Sequence, residues 1–178
     1  MWVRGGFLKE LPVRKDVRLR GFDYSNAGCY YVTICVKDRH EVLGEIVGDA
    51  PLRVPCSILS KYGVFVDAQI QKISGVYPFV SVDNYVIMPN HIHMLVTIGG
   101  KICQKMGDGT RGGASPTKAV IPQIVQSLKS MTTKEFGFNM WQRSYHDRII
   151  RNEEEYHRIW RYIDENPAKW AEDEYHTK

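Results

Sequence analysis

Apolar positions along the chain follow two periods, and the switches between them predict its elements. Cys29–Val36 (CYYVTICV) is a run of β-branched and aromatic residues, the make-up of a buried strand. Glu41–Val47 and Leu52–Val54, separated by Gly48-Asp49-Ala50-Pro51, read as the two arms of a hairpin. After Ser57, the expected cap, Leu59, Val66, Ile70 and Ile73 form an imperfect helical stripe, predicting a helix to about Ser74 with Gly75 as its stop. Two extended apolar runs, Val80–Met88 and His91–Ile98, meet at Pro89-Asn90, which predicts a tight antiparallel turn. Pro122 suits the first turn of a helix, and Ile121, Ile124, Val125, Leu128 and Thr132 continue it on one face as far as Gly137. Trp141–Ile150 reads as a further strand or extended segment. The last helix is expected from a cap at Asn152, through Glu153, Glu154 and Glu155, to Asn166, because Pro167 disfavours helix before it.

Short strand-to-strand connections in this order exclude a purely parallel sheet. The expectation is an α+β fold: a ferredoxin-like antiparallel sheet with helices packed mainly on one face, plus a β-hairpin insertion. No internal repeat is present. A length of 178 residues suits one domain, 1–178, with residues 1–20 as an N-terminal basic arm. Residues 99–117, rich in glycine and polar residues, read as a flexible loop.

Charge changes the picture through its distribution. Residues 1–20 hold six cations, Arg18 and Arg20 among them, against Glu10 and Asp16, so this arm carries the same +4 as the whole chain. Such an arm either neutralises phosphates of an anionic polymer or is a solvated leader. The four cysteines, Cys29, Cys35, Cys56 and Cys103, form no CxxC pair and no zinc-ribbon spacing. Reduced cysteines and a cytoplasmic location are expected. No run of about 18 apolar residues predicts a membrane span, and the N-terminus lacks the apolar centre of a signal peptide.

The candidate chemistry begins at His91-Ile92-His93. Side chains two apart on a strand share a face, so both imidazoles can meet one metal ion, or else they are hydrogen-bonded polar residues. The flanking Val86, Ile87, Leu95 and Val96 mark a central strand, where unpaired imidazoles are costly. In the last helix, Tyr156, Ile159, Trp160 and Ile163 form the expected buried stripe. At about 100° per residue, Tyr162 and Asn166 lie together on its flank. They are either an edge-packed aromatic and a helix cap, or a phenol and an amide oxygen facing a metal. A phenolate can attack a phosphodiester and store the bond as phosphotyrosine, with a divalent cation absorbing negative charge. Two imidazoles and an amide leave open positions that suit Mg²⁺ or Mn²⁺ better than a closed zinc site. Near the histidines in sequence the only acidic residue is Asp83, which argues against a carboxylate-rich two-metal nuclease.

FDYSNAGCYYVTIC (22–35), DNYVIMPNHIHMLV (83–96), SLKSMT (127–132), WQRSYHDRIIRNEEEY (141–156) and RYIDENPAKW (161–170) together resemble the HUH-type single-tyrosine transposases, in particular the REP-associated tyrosine transposase branch. The resemblance runs in order over most of the chain. It implies that His91 and His93 are metal ligands and Tyr162 the nucleophile. Insertion-sequence members carry a glutamine four residues after the tyrosine; Asn166 stands there in this chain, a departure shared with the REP-associated branch. The implied activity is cleavage and rejoining of single-stranded or hairpin DNA through a 5′-phosphotyrosine, by a monomer or a homodimer. Tyr156 and Tyr145 are rival tyrosines, and His146 a minor candidate for phosphate or metal. Arg143, Arg148, Arg151, Arg158, Arg161 and Lys169 surround the nucleophile as candidate DNA-backbone contacts, with Lys129 and Lys134 weaker ones. Trp141 and Tyr145 can either stack on bases or pack in the core. The alternative function is a non-catalytic nucleic-acid-binding module, since ferredoxin-like sheets also bind single strands.

Overall fold

The computed structural model describes residues 27–48, 55–99 and 120–176. The basic arm with Arg18 and Arg20, residues 100–117 of the expected loop, and Leu52–Val54 of the expected hairpin lie outside these residues. In chain order the elements are β1 (Gly28–Cys35), β2 (Gly44–Val47), β3 (Cys56–Leu59), α1 (Lys61–Gln71), α2 (Ile73–Val76), β4 (Val80–Ile87), β5 (His91–Ile98), α3 (Val120–Phe136), β6 (His146–Ile150) and α4 (Glu153–Glu165). A 3₁₀ turn covers Lys37–Arg39, and a second 3₁₀ segment, kinked at Lys169, runs over Asn166–Glu172.

One antiparallel sheet holds the strands in the order β4-β5-β1-β6, while β2 and β3 form a separate hairpin. Leaving the hairpin aside, strand, helix, strand, strand, helix, strand in that spatial order is the ferredoxin-like arrangement expected. Strand alternation then divides the core. Tyr30, Val32, Ile34, Ile92, Met94 and Val96 face α1 and α3, where Val66, Ile70, Ile121, Ile124, Val125 and Leu128 complete the main core. Cys29, Leu95 and Ile150 face the other way and meet Ile159 and Ile163 of α4. Three helices thus lie on one face, and among the described residues α4 and the segment after it cover the other. His91 and His93 have the parity of Leu95, so both project to the α4 side.

Several boundaries differ from expectation, each for a local reason. Ser57 does not cap α1. It lies in β3, paired with Ile46 across the hairpin, and Ser60 is the cap, its Oγ accepting from Tyr62 N and Gly63 N. The partner of β2 is therefore Cys56–Leu59. Gly75 lies inside α2 and does not end the helix. Gly137, at φ 75°, does follow the end of α3. Trp141 makes only an isolated bridge to Val36, and β6 begins at His146. Asn152 caps α4 by accepting from Glu155 N, and the helix gives way to 3₁₀ geometry at Asn166, next to Pro167. Cys35 and Cys56 are free thiols, whereas Cys29 is disulfide-bonded, contrary to the reduced state expected for it. Among the described residues no helix is long and apolar enough to cross a membrane.

Candidate metal and tyrosine site

The turn at Met88–Asn90 delivers His91 to the first position of β5, in register with Cys35, while His93 pairs with Thr33. Both imidazoles are buried, and their Nε2 atoms lie 3.0 Å apart. Their second nitrogens are held from behind. His91 Nδ1 is 2.8 Å from Asn90 Oδ1. His93 Nδ1 sits 2.7 Å from the Tyr31 hydroxyl and 2.8 Å from Thr33 Oγ1. Burial pulls the pKa of His91 down to about 4, with the Asp173 charge opposing, and burial followed by the neighbouring imidazole lowers that of His93 well below its usual range. Both rings are therefore neutral at pH 7, the form that binds metals.

Across from them stands the end of α4 and the segment after it. The Tyr162 ring is 5.4 Å from His93 and 6.2 Å from Tyr31, centroid to centroid. Its 38% exposure leaves the phenol reachable from solvent. Burial, then the charges of Asp173 and Glu174, push its pKa up to about 12, with hydrogen bonds to Asn166 and Tyr31 pulling the other way. Asn166 is 2% exposed; its Nδ2 donates to Asp173 Oδ2 at 3.1 Å, and its buried Oδ1 has no hydrogen-bond partner. The Tyr162 hydroxyl reaches Asp173 Oδ2 at 3.5 Å, the outer limit of a hydrogen bond. Trp170 and Tyr175 close the edge, with ring centroids 6.0 and 4.7 Å from His91.

Asp173 is the residue that sequence reasoning missed. Together with His91 and His93 it forms a group that can hold a metal ion, one ligand atom from each lying within 4.8 Å of the others. The donor set fits a divalent cation on two further grounds. Two imidazole nitrogens 3.0 Å apart match adjacent ligands each about 2.0–2.1 Å from one metal. The buried Asn166 Oδ1 is an acceptor without a donor, which a cation would satisfy. Asp83, the acid near the histidines in sequence, is occupied elsewhere, by Ser81, Thr97 and the Tyr156 hydroxyl.

The remaining candidates separate clearly. Tyr156 is half-buried on α4 and bonded to Asp83, and Tyr145 packs against the main core. Trp141 is buried, its Nε1 donating to Thr132 Oγ1 at 2.6 Å, so it packs and cannot stack on a base. His146 is exposed on the histidine face, with β1 between it and His93. Arg148 and Arg158 pair with Glu155 at 2.6 and 3.7 Å, and Lys169 with Glu165 at 2.7 Å. Arg143, Arg151 and Arg161 are exposed.

An α+β sheet bearing two inward imidazoles, a phenol and a carboxylate in one cluster defines a ferredoxin-like protein with a candidate metal centre. No protein-family model matches the chain. A protein of Haemophilus influenzae, described as uncharacterized, is 30% identical over 171 residues, 90% of this chain and 92% of that one. The chain belongs to the same family as that protein. Its fold is shared with the REP-associated tyrosine transposase solved bound to a REP hairpin, at a TM-score of 0.55 and 19% identity, over 80% of this chain and 68% of that one. The fold implied by the sequence motifs is thus matched in three dimensions.

Proposed function

We propose that the protein is a metal-dependent DNA strand transferase that cleaves and rejoins single-stranded DNA, with Tyr162 as nucleophile. His91, His93 and Asp173 would hold the cation, with Asn166 Oδ1 as a further oxygen donor. A divalent cation there, Mg²⁺ or Mn²⁺, would supply Lewis-acid polarisation of the scissile phosphate and charge to offset the developing oxyanion.

The steps on the protein's side follow from its groups. Tyr162 Oη forms a bond to phosphorus and the bond from phosphorus to the 3′ oxygen breaks. The phenol proton passes to solvent, to which the half-exposed hydroxyl is open, and the departing 3′ oxygen takes up a proton from water to become a hydroxyl. The products are a 5′-phosphotyrosine and a free 3′ end; attack by a 3′ hydroxyl reverses the step and releases the tyrosine. Product polarity and the hairpin preference are carried by the family resemblance. The hairpin bound by the fold relative supports the same DNA partner here. Arg143, Arg148, Arg151, Arg158, Arg161 and Lys169 remain the candidate backbone contacts, with Arg18 and Arg20 from the arm.

One observation carries this reading: a single subunit brings the Tyr162 ring within 5.4 Å of a buried imidazole pair. That proximity supports catalysis within one chain, as a monomer. The test is a hairpin oligonucleotide with single-stranded flanks incubated with protein and Mn²⁺, with products run on a denaturing gel. A protein–DNA adduct is expected, lost with EDTA and with Tyr162→Phe. An adduct undiminished in Tyr162→Phe would remove this tyrosine from its role, and binding without any adduct would point to a non-catalytic module.

A further inference from the structure

Around α4, Arg148, Arg158 and Lys169 pair with Glu155 or Glu165. A second set is differently placed. Between α3 and the segment 139–145 lies an open groove of about 860 Å³ that includes Lys129, Lys134 and Arg143 among its lining residues and no carboxylate. Gln126, Ser130, Asn139 and Gln142 add neutral donors, and the Tyr145 ring contributes an aromatic wall. Among the described residues no carboxylate pairs with Lys134 or Arg143, and both are exposed.

Lys129 gives the groove its shape. Its Nζ donates to the backbone oxygens of Gln142 and Ser144 at 2.7 and 2.9 Å, pinning the 142–145 segment to α3. An ammonium has three protons, so one remains for an oxygen in the groove. Burial holds its pKa down to about 8, a cost that an anion beside it would relieve. Backbone hydrogen bonds tie the wall of the groove to the strand end that faces the candidate centre. Gln142 N donates to Cys35 O, Lys37 N to Met140 O, and Cys35 stands opposite His91 in the sheet. The charges that act on the Cys35 thiol, Arg39 first, include Lys129 of the groove and Asp173 of the site.

We infer that this groove binds the phosphodiester backbone of the DNA strand and leads it past the Cys35 end of β1 to Tyr162. The inference rests on the strand-transferase reading for its destination and on the groove's own charge for its ligand. Lys134 and Arg143 contact phosphate oxygens, and Lys129 orders the wall while offering its third proton.

The test is fluorescence anisotropy with a labelled hairpin oligonucleotide bearing a single-stranded flank, in EDTA so that no cleavage intervenes, over a series of salt concentrations. Lys134→Gln/Arg143→Gln, both at exposed positions, is compared with Lys61→Gln/Lys72→Gln, an equal loss of charge at exposed residues at the two ends of α1. The groove pair is expected to weaken binding about tenfold and to make the log–log salt dependence shallower by about 1.4 to 1.8, the value for two lost phosphate contacts. The α1 pair should change the slope little. Equal effects of the two pairs, or an unchanged slope in the groove pair, would overturn the inference. Covalent adduct formation in Mn²⁺ is scored separately. An adduct from the parent with unchanged groove-pair binding defeats the groove alone. Groove-dependent binding with no adduct leaves the groove standing and removes the strand-transferase reading.

Discussion

Asn90 sets the protonation of His91 through bonds it makes elsewhere. Its Nδ2 donates to the carbonyls of Arg39 and Tyr175 at 3.2 and 2.8 Å, so its Oδ1 faces the imidazole and His91 Nδ1 must carry the proton. The lone pair of His91 is then at Nε2, where His93 Nε2 can donate to it in the metal-free protein. Tyr31 and Thr33 hydroxyls can donate to or accept from His93 Nδ1, so the ring can exchange tautomers and turn its own lone pair toward a cation. Two consequences follow at this scale. Asp173→Asn removes the one charged member of the candidate metal group and is expected to weaken Mn²⁺ binding by about tenfold or more in calorimetric titration. Secondly, both imidazoles titrate below the value they have when unfolded, near 6.5. Between pH 6.5 and about 4 the unfolded chain binds more protons than the folded one, so stability present above 6.5 declines as pH falls through this window. In EDTA, the urea midpoint should drop steadily from pH 7 to pH 4.5, with a smaller drop in His91→Gln. A pH-independent midpoint would contradict buried, neutral histidines.

At the scale of elements, close contacts decide where substitutions are tolerated. A Cβ on Gly63, in the first turn of α1, would collide with the Leu43 carbonyl oxygen, a backbone atom with no room to swing away. Gly63→Ala should therefore lower the melting temperature despite alanine's higher helix propensity, with a cost of about 1–3 kcal/mol. Thr132 accepts the buried Trp141 indole N–H at 2.6 Å; Thr132→Val keeps the volume but orphans the donor, again costing about 1–3 kcal/mol in a denaturant titration. These two positions also show what the chain's pattern reveals. The 3.6-residue stripe of α3 is legible because every one of its five predicted positions is buried against the sheet. Every position of β5 is buried, so no apolar–polar alternation marks its faces, and only the two-residue spacing puts both histidines on one of them. The cap of α1 is not legible, since Ser57 and Ser60 are equally good N-caps and only the pairing of Cys56–Leu59 with β2 chooses between them. Asp173 is invisible at this level. It follows the last helix, and its return to the imidazoles depends on a tertiary path through the 3₁₀ turns of Asn166–Glu172.

For the whole molecule, the candidate centre joins parts far apart in the chain: His91 and His93 come from the middle of the sheet, Asp173 from the segment after α4. In the unfolded chain these ligands are dispersed, so a cation that needs all three binds the folded form preferentially. Binding to the folded form alone raises stability by RT ln(1 + [L]/Kd), about 2.7 kcal/mol at a hundredfold excess over Kd. Mn²⁺ should thus raise the melting temperature of the parent in a concentration-dependent and EDTA-reversible way. Tyr162→Phe should keep that response, because the phenol is outside the group that can hold the ion. His93→Ala should lose it. A shift of the same size in His93→Ala would mean that the ion stabilises some other part of the chain, and the imidazole pair would then need a different role.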